Sequence, residues 1–155
     1  MARMKSVQAV YYGPADSGYP SVGRVSANES VEYFWTEGAW CYICYSVSGT
    51  SNKKCGYVPD TAVNYTNENP LVDNANSGTR YIRSGGTTYT GPSSSGYVSA
   101  GSVDAGESVM YTGYKYNNYA LIEYSVGSTS TKKRAWYLAL SLIHISEPTR
   151  LRCIS

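Results

Sequence analysis

The sequence predicts an all-β chain built as two tandem small β-barrels joined by a polar linker. Three observations carry that prediction. First, strand and turn residues dominate: 17 Tyr and 15 Gly stand among 155 residues, and long runs of helix formers are missing. Aromatic and β-branched side chains suit a pleated, half-buried surface, which favours strands. Second, the chain repeats itself once. Third, each copy reads as short segments of alternating side-chain class, such as VEYFW and WCYICYSV, bounded by turn residues such as Gly38, Gly49 and Ser51.

The repeat sets the organisation, and it is read first because overlooking one misassigns a fold. Tyr12, Gly13 and Pro14 recur as Thr90, Gly91 and Pro92; Ser17, Gly18 and Tyr19 recur as Ser95, Gly96 and Tyr97; Glu29, Ser30 and Val31 recur as Glu107, Ser108 and Val109, all at an offset of 78. Further on, Ile43 matches Ile122, Tyr45, Ser46 and Val47 match Tyr124, Ser125 and Val126, and Lys53 and Lys54 match Lys132 and Lys133, at an offset of 79. One residue is therefore inserted between Tyr33 and Trp40. A length change there predicts a hairpin loop, because loops tolerate insertions that strands do not.

The first unit runs over residues 1–65, with about five strands, near the lower size limit for a self-sufficient core. Residues 66–78 are polar, with Asn and Pro, and read as a linker. The second unit covers 79–139, where SVMYTGY and YALIEYSV take the parts of VEYFW and WCYICYSV. Residues 140–155 break with everything before them. Their first eleven, LSLIHISEPTR, resemble the in-frame translation of a transposase adapter used in short-read sequencing libraries. They are read as a non-native tail, so the natural protein is expected to continue past Ala139. Leu140 and Leu142 would then complete the second barrel by accident.

The order of these signals resembles bacterial Src-homology-3-like domains. Tyr11, Tyr12, Gly13 and Pro14 open the unit, GRVSANESVEYF follows, Trp40 leads a strand, and Gly56, Tyr57, Val58 and Pro59 close it. The second copy carries Tyr89, Gly91 and Pro92, then AGSVDAGESVMY, Tyr119, and Ala135, Trp136 and Tyr137. Two departures stand out: Leu138 replaces Pro59, and Tyr119 replaces Trp40. The resemblance implies two small barrels with aromatic-lined grooves, of the kind that sit beside cell-wall hydrolases or in phage lysins. On that basis the binding groove is expected to use Tyr12, Tyr19, Trp40, Tyr42, Tyr57 and Pro59 in the first unit and Tyr97, Tyr119 and Trp136 in the second. Trp35, Tyr114 and Tyr116 are further aromatic candidates.

Charge and chemistry narrow the function. A net charge of +2 is too weak to argue for nucleic acid, and no stretch approaches the roughly 20 apolar residues of a membrane span. The opening residues lack the apolar run of a secretory signal. Outside the tail the chain has no histidine, the sole one being His144, which excludes a Cys–His dyad, a His-ligated zinc and a histidine base together. Of the carboxylates Glu29, Glu32, Glu37, Glu107 and Glu123, only Glu29 and Glu107 recur, and they read as turn residues. No catalytic residue, metal or cofactor is expected.

The cysteines, Cys41, Cys44, Cys55 and Cys153, are too few and too uneven to read as a disulfide framework. Cys41 and Cys44 sit three apart on a strand, so they point to opposite faces. Their counterparts are Ala120 for Cys41, Glu123 for Cys44 and Arg134 for Cys55. Cys41 is expected to be a small buried side chain, and Cys44 and Cys55 exposed thiols.

The resemblance implies a non-catalytic module that binds bacterial cell wall or a peptidoglycan peptide and targets an associated hydrolase or lysin. The alternatives are a module that grips a proline-rich or extended peptide, and a peptidoglycan hydrolase whose catalytic part is lost. An extracellular, wall-associated or lysis-released location would suit the first.

Overall fold

A computed structural model describes residues 2–64, 73–74, 77–127 and 130–143. Among these residues there is no α-helix, and the chain is all-β, arranged as two antiparallel sheets. The first half contributes β1 (Ala2–Met4), β2 (Gln8–Tyr11), β3 (Ser21–Val25), β4 (Ser30–Glu37), β5 (Trp40–Ser46) and β6 (Lys53–Pro59). A short 3-10 turn at Asp60–Ala62 leads into β7 (Val63–Asn64). The second half contributes β8 (Asp73–Asn74), β9 (Gly78–Ile82), β10 (Gly86–Tyr89), β11 (Ser99–Val103), β12 (Ser108–Tyr116), β13 (Tyr119–Ser125) and β14 (Lys132–Leu138). A matching 3-10 turn at Ala139–Ser141 precedes β15 (Leu142–Ile143).

The repeat in sequence is a repeat in topology. The first sheet runs β3-β2-β6-β5-β4-β1-β7 and the second runs β11-β10-β14-β13-β12-β9-β15, the same order strand for strand. Beyond this path, Asp73 and Asn74 of β8 pair with Lys115 and Tyr114 of β12. Leu142 and Ile143, from the segment read as a tail, pair with Ile82 and Tyr81, as Val63 and Asn64 pair with Met4 and Arg3. Leu140 is largely exposed, whereas Leu142 packs on the second core. His144 and Cys153 lie outside the described residues.

Each sheet folds over itself. In the first, Met4, Val10, Val22, Val25, Val31, Ile43, Val58 and Val63 share one buried cluster drawn from this half alone. A flat seven-stranded sheet would set its edges roughly 29 Å apart and leave that face bare. Burial without any helical layer therefore requires the sheet to curl around its own side chains. Ile82, Val103, Val109, Ile122 and Tyr137 do the same in the second half.

The inserted residue is not in a hairpin loop. Both hairpins turn through two residues: Gly38 and Ala39 in the first, Asn117 and Asn118 in the second, where both asparagines have positive φ. The extra residue falls inside β12, where the β12–β13 register shifts between Tyr111 and Lys115. Gly113 sits in that bulge with φ 101°, a conformation glycine adopts without penalty. A bulge absorbs one residue while keeping the two-residue turn, which asparagines at positive φ already favour.

A second correction concerns the cysteines. Cys41 is buried in the first core as expected, but Cys44 and Cys55 are buried too, on the opposite face, and form a disulfide. They oppose each other in the β5–β6 ladder. In the β13–β14 ladder the equivalent positions are Glu123 and Arg134, also opposed and joined by an ion pair at 2.9 Å. These counterparts are not unrelated replacements: a covalent pair in one copy stands where an ionic pair stands in the other. Replacing Cys44 and Cys55 together with alanine should cost about 2–3 kcal/mol, since the bond closes a loop of 11 residues. Urea unfolding with and without reductant measures it, and an unmoved midpoint would contradict the assignment.

Candidate functional site

The aromatic residues are organised by the contact between the two halves. Gly13 and Gly91 are required at the start of this contact, because Tyr19 and Tyr97 lie so close over them that a Cβ would overlap the rings. The loops so shaped then dock on the other half reciprocally. The Lys53 N–H donates to the Gly96 carbonyl at 2.8 Å, and the Lys132 N–H donates to the Gly18 carbonyl at 2.9 Å. Likewise the Cys55 N–H donates to Thr90 O at 2.8 Å and the Arg134 N–H to Tyr12 O at 3.1 Å. Each bond is the repeat equivalent of its partner, so the halves meet across a pseudo-two-fold axis, the geometry of an isologous dimer within one chain.

Rings fill the middle of this contact. Phe34, Trp35, Tyr42, Tyr57, Leu121 and Trp136 form a buried cluster drawn from both halves. Trp35 is stacked between Tyr42, at 4.4 Å, and Tyr114 of the other half, at 3.8 Å. The Trp136 indole N–H donates to the Tyr42 hydroxyl at 2.7 Å. Burial in this cluster pushes the Tyr42 and Tyr57 hydroxyls well above the ordinary tyrosine pKa.

A charged network seals one side. Arg134 donates through Nε to Glu123 at 2.9 Å, and through Nη1 to Glu37 of the first half at 3.0 Å and to the Tyr57 hydroxyl at 3.1 Å. The Tyr19 hydroxyl donates to Glu123 at 2.6 Å. Burial alone would push the Glu123 carboxyl up, but the Tyr19 and Arg134 hydrogen bonds and the Arg134 and Lys132 charges together hold it below the usual range. A carboxylate with a depressed folded pKa adds stability above its unfolded pKa, and that stability is lost as pH falls through the folded value. Thermal stability should therefore decline below about pH 4.3. Glu123→Gln should flatten this part of the melting profile, and an unchanged pH profile would show that Glu123 is not its source.

The nine expected groove residues separate into three groups. Tyr42, Tyr57 and Trp136 are fully buried between the halves, with no ring face open to a ligand. Tyr12, Tyr19 and Tyr97 are half-buried and serve the contact: Tyr12 packs against both cores and lies under the Lys133 ammonium, and Tyr19 and Tyr97 cover the glycines. Trp40, Pro59 and Tyr119 are half-buried at the rim and keep an open surface.

Those last three belong to a repeated platform. Trp40 opposes Pro59 in the β5–β6 ladder, and the Tyr11 ring meets Trp40 edge-on at 6.0 Å. The same register in the second half sets Tyr119 opposite Leu138, with Tyr89 at the Tyr11 position on β10. Leu138 is 40% exposed. Tyr11 and Tyr89 were not among the expected groove residues, although Tyr11 opens the repeated pattern and its half-buried ring supplies one wall. Glu29 and Glu107 have the turn role expected of them: each carboxylate accepts a backbone N–H three residues back, from Ser26 and Asp104, at 2.9 Å. Among the described residues, no group of three His, Cys, Asp or Glu side chains is placed to hold a metal ion.

No protein-family model matches the sequence, and no curated protein matches it. Two solved structures are similar. NlpC2 from Trichomonas vaginalis aligns over 92% of this chain at 10% identity and a TM-score of 0.38, and NlpC1 from the same organism over 92% at 11% identity and 0.36. The chain spans 47% and 45% of those two proteins, less than half of each.

Proposed function

We propose that this chain is a non-catalytic module that binds bacterial cell wall and holds an associated hydrolase or lysin there. The observation that carries the reading is the twice-built aromatic platform, Tyr11, Trp40 and Pro59 with its counterpart Tyr89, Tyr119 and Leu138, which keeps an open surface while Tyr42, Tyr57 and Trp136 are buried between the halves. Flat rings with polar tips gain contact area at little entropic cost. Two such surfaces on one chain suit a polymer with repeating sites, because the second contact forms at high effective concentration. The resemblance of each unit to bacterial Src-homology-3-like domains supports the same reading, and points to the peptide part of peptidoglycan as the ligand.

Co-sedimentation with purified peptidoglycan sacculi tests it. The wild-type chain should pellet with sacculi, and Trp40→Ala combined with Tyr119→Ala should weaken retention at least about tenfold, as expected for aromatic anchors. Both rings also pack on the buried cluster between the halves, so the melting temperature is measured alongside and retention is compared at a temperature where the double variant is folded. Retention no better than that of an unrelated soluble protein, or a double variant that binds unchanged, would reject wall binding through these platforms. Retention abolished by a free proline-rich peptide would instead favour a peptide-gripping module.

A further inference from the structure

The first half holds a polar cavity of about 190 Å³ away from the aromatic platforms. Gly23 and Arg24 of β3, Glu29 in the following turn, Tyr45 and Ser46 at the end of β5, and Lys54 of β6 line it. One of these groups is unexplained by the fold. Tyr45 is 6% exposed, and its hydroxyl has no hydrogen-bond partner among the described residues. That hydroxyl lies against Gly23, so close that a Cβ there would collide with it.

The second copy shows what is missing. Tyr124, the counterpart of Tyr45, shares a hydrogen bond of 2.7 Å with Thr88. Val10 occupies the Thr88 position in the first half and offers nothing to bond. A buried polar group left unpaired destabilises a fold, so a partner supplied from outside would be accommodated favourably. The two copies differ in charge at the same place. Arg24 and Ser26 become Ser102 and Asp104, so the second copy loses a cation and gains an anion.

We infer that this cavity is a binding site for a small ligand bearing one carboxylate, held by Arg24, Lys54 and the Tyr45 hydroxyl. Arg24 is exposed and in no ion pair among the described residues, so its guanidinium fork is available to a carboxylate. The Lys54 ammonium is fixed by donating to Val22 O at 3.0 Å, which leaves two of its N–H groups for a ligand. Glu29 is the opposing charge, with one oxygen engaged by the Ser26 N–H. Two cations against one carboxylate leave a single positive charge, which matches a monoanion better than a phosphate group carrying nearly two charges. The volume suits one or two amino-acid residues, such as the C-terminal end of a short peptide. This site is separate from the aromatic platforms and does not depend on the wall-binding reading.

Titration of the whole ¹⁵N-labelled chain tests it, with N-acetyl-alanyl-alanine, its C-terminal amide and inorganic phosphate as probes. The acid should shift the amide signals of Gly23, Arg24, Ser46 and Lys54, and the neutral amide should not. Tyr45→Phe and Arg24→Ser should each weaken the acid at least about tenfold, with the melting temperature of Tyr45→Phe unchanged or raised. Val10→Thr gives Tyr45 the partner that Thr88 gives Tyr124, and should also weaken binding in a folded protein. Equal binding of acid and amide, shifts centred elsewhere, or an unaffected Tyr45→Phe would overturn the site, and tighter binding of phosphate would overturn the carboxylate assignment. Trp40→Ala with Tyr119→Ala should leave this titration unchanged, so failure here and failure of the platforms are told apart.

Discussion

Replacing Arg134 with methionine should lower the unfolding free energy by about 3 kcal/mol, because it removes the shared cation of the largely buried Glu123 and the partly buried Glu37 and leaves Glu123 only the exposed Lys132 at 3.7 Å. The Arg134 and Glu123 side chains are each only 10% exposed, and Glu37 is 31% exposed. The Arg134 guanidinium bonds Glu37 and Tyr57 of the first half and Glu123 of the second. Lysine should not rescue it, since a single ammonium cannot reach both carboxylates in the geometry of the fork. Adding Glu37→Gln and Glu123→Gln to Arg134→Met should recover much of the loss, because the penalty lies in the unpaired charges rather than in the missing contacts. Urea unfolding of the set decides the matter. A loss under about 1 kcal/mol for Arg134→Met would place the network in the class of weak surface pairs.

Trp136→Ala should be comparably severe, at about 3–5 kcal/mol, for a different reason. Its side chain is completely buried and packs at 6.3 Å from Trp35 and 6.1 Å from Tyr42, both across the contact. Truncation opens a large hole between two rigid sheets that can close only by sliding against each other. Trp136→Phe separates packing from hydrogen bonding. It keeps much of the volume but removes the donor to the Tyr42 hydroxyl, and should cost about 1–3 kcal/mol. Thermal unfolding followed by near-ultraviolet circular dichroism reports both the stability and the stacked rings. A melting temperature that does not move for Trp136→Ala would mean the halves are not held together through this cluster.

Strand content and repetition were legible because they are local or self-referential. Tyr and Gly patterning sets short strands and turns, and matching Gly13 with Gly91 or Glu29 with Glu107 needs only the sequence laid against itself. The identical strand order of the two sheets follows from that match. Cys41 was placed correctly, since strand alternation alone puts it on the face opposite Cys44. What the second face of β5 and β6 meets is a long-range matter, and there the local reading went astray for Cys44 and Cys55. One signal was available: WCYICY is apolar without interruption, as strands covered on both faces are, and β5 is buried on both faces from Cys41 to Tyr45.

The sequence by itself therefore determined that the chain is all-β, that it is built twice, and which residues turn it, because those depend on backbone preference and near-neighbour pattern. Only the tertiary structure decided what the rings are for. An exposed binding groove and a buried contact between copies ask for the same residues, flat aromatics flanked by small glycines, and composition cannot tell them apart. The reciprocal docking of Gly18 and Gly96 on Lys132 and Lys53 chose the buried contact for Tyr42, Tyr57 and Trp136 and left Tyr11, Trp40 and Pro59 at the surface. That choice rests on distances between residues far apart in the chain, which no local pattern encodes.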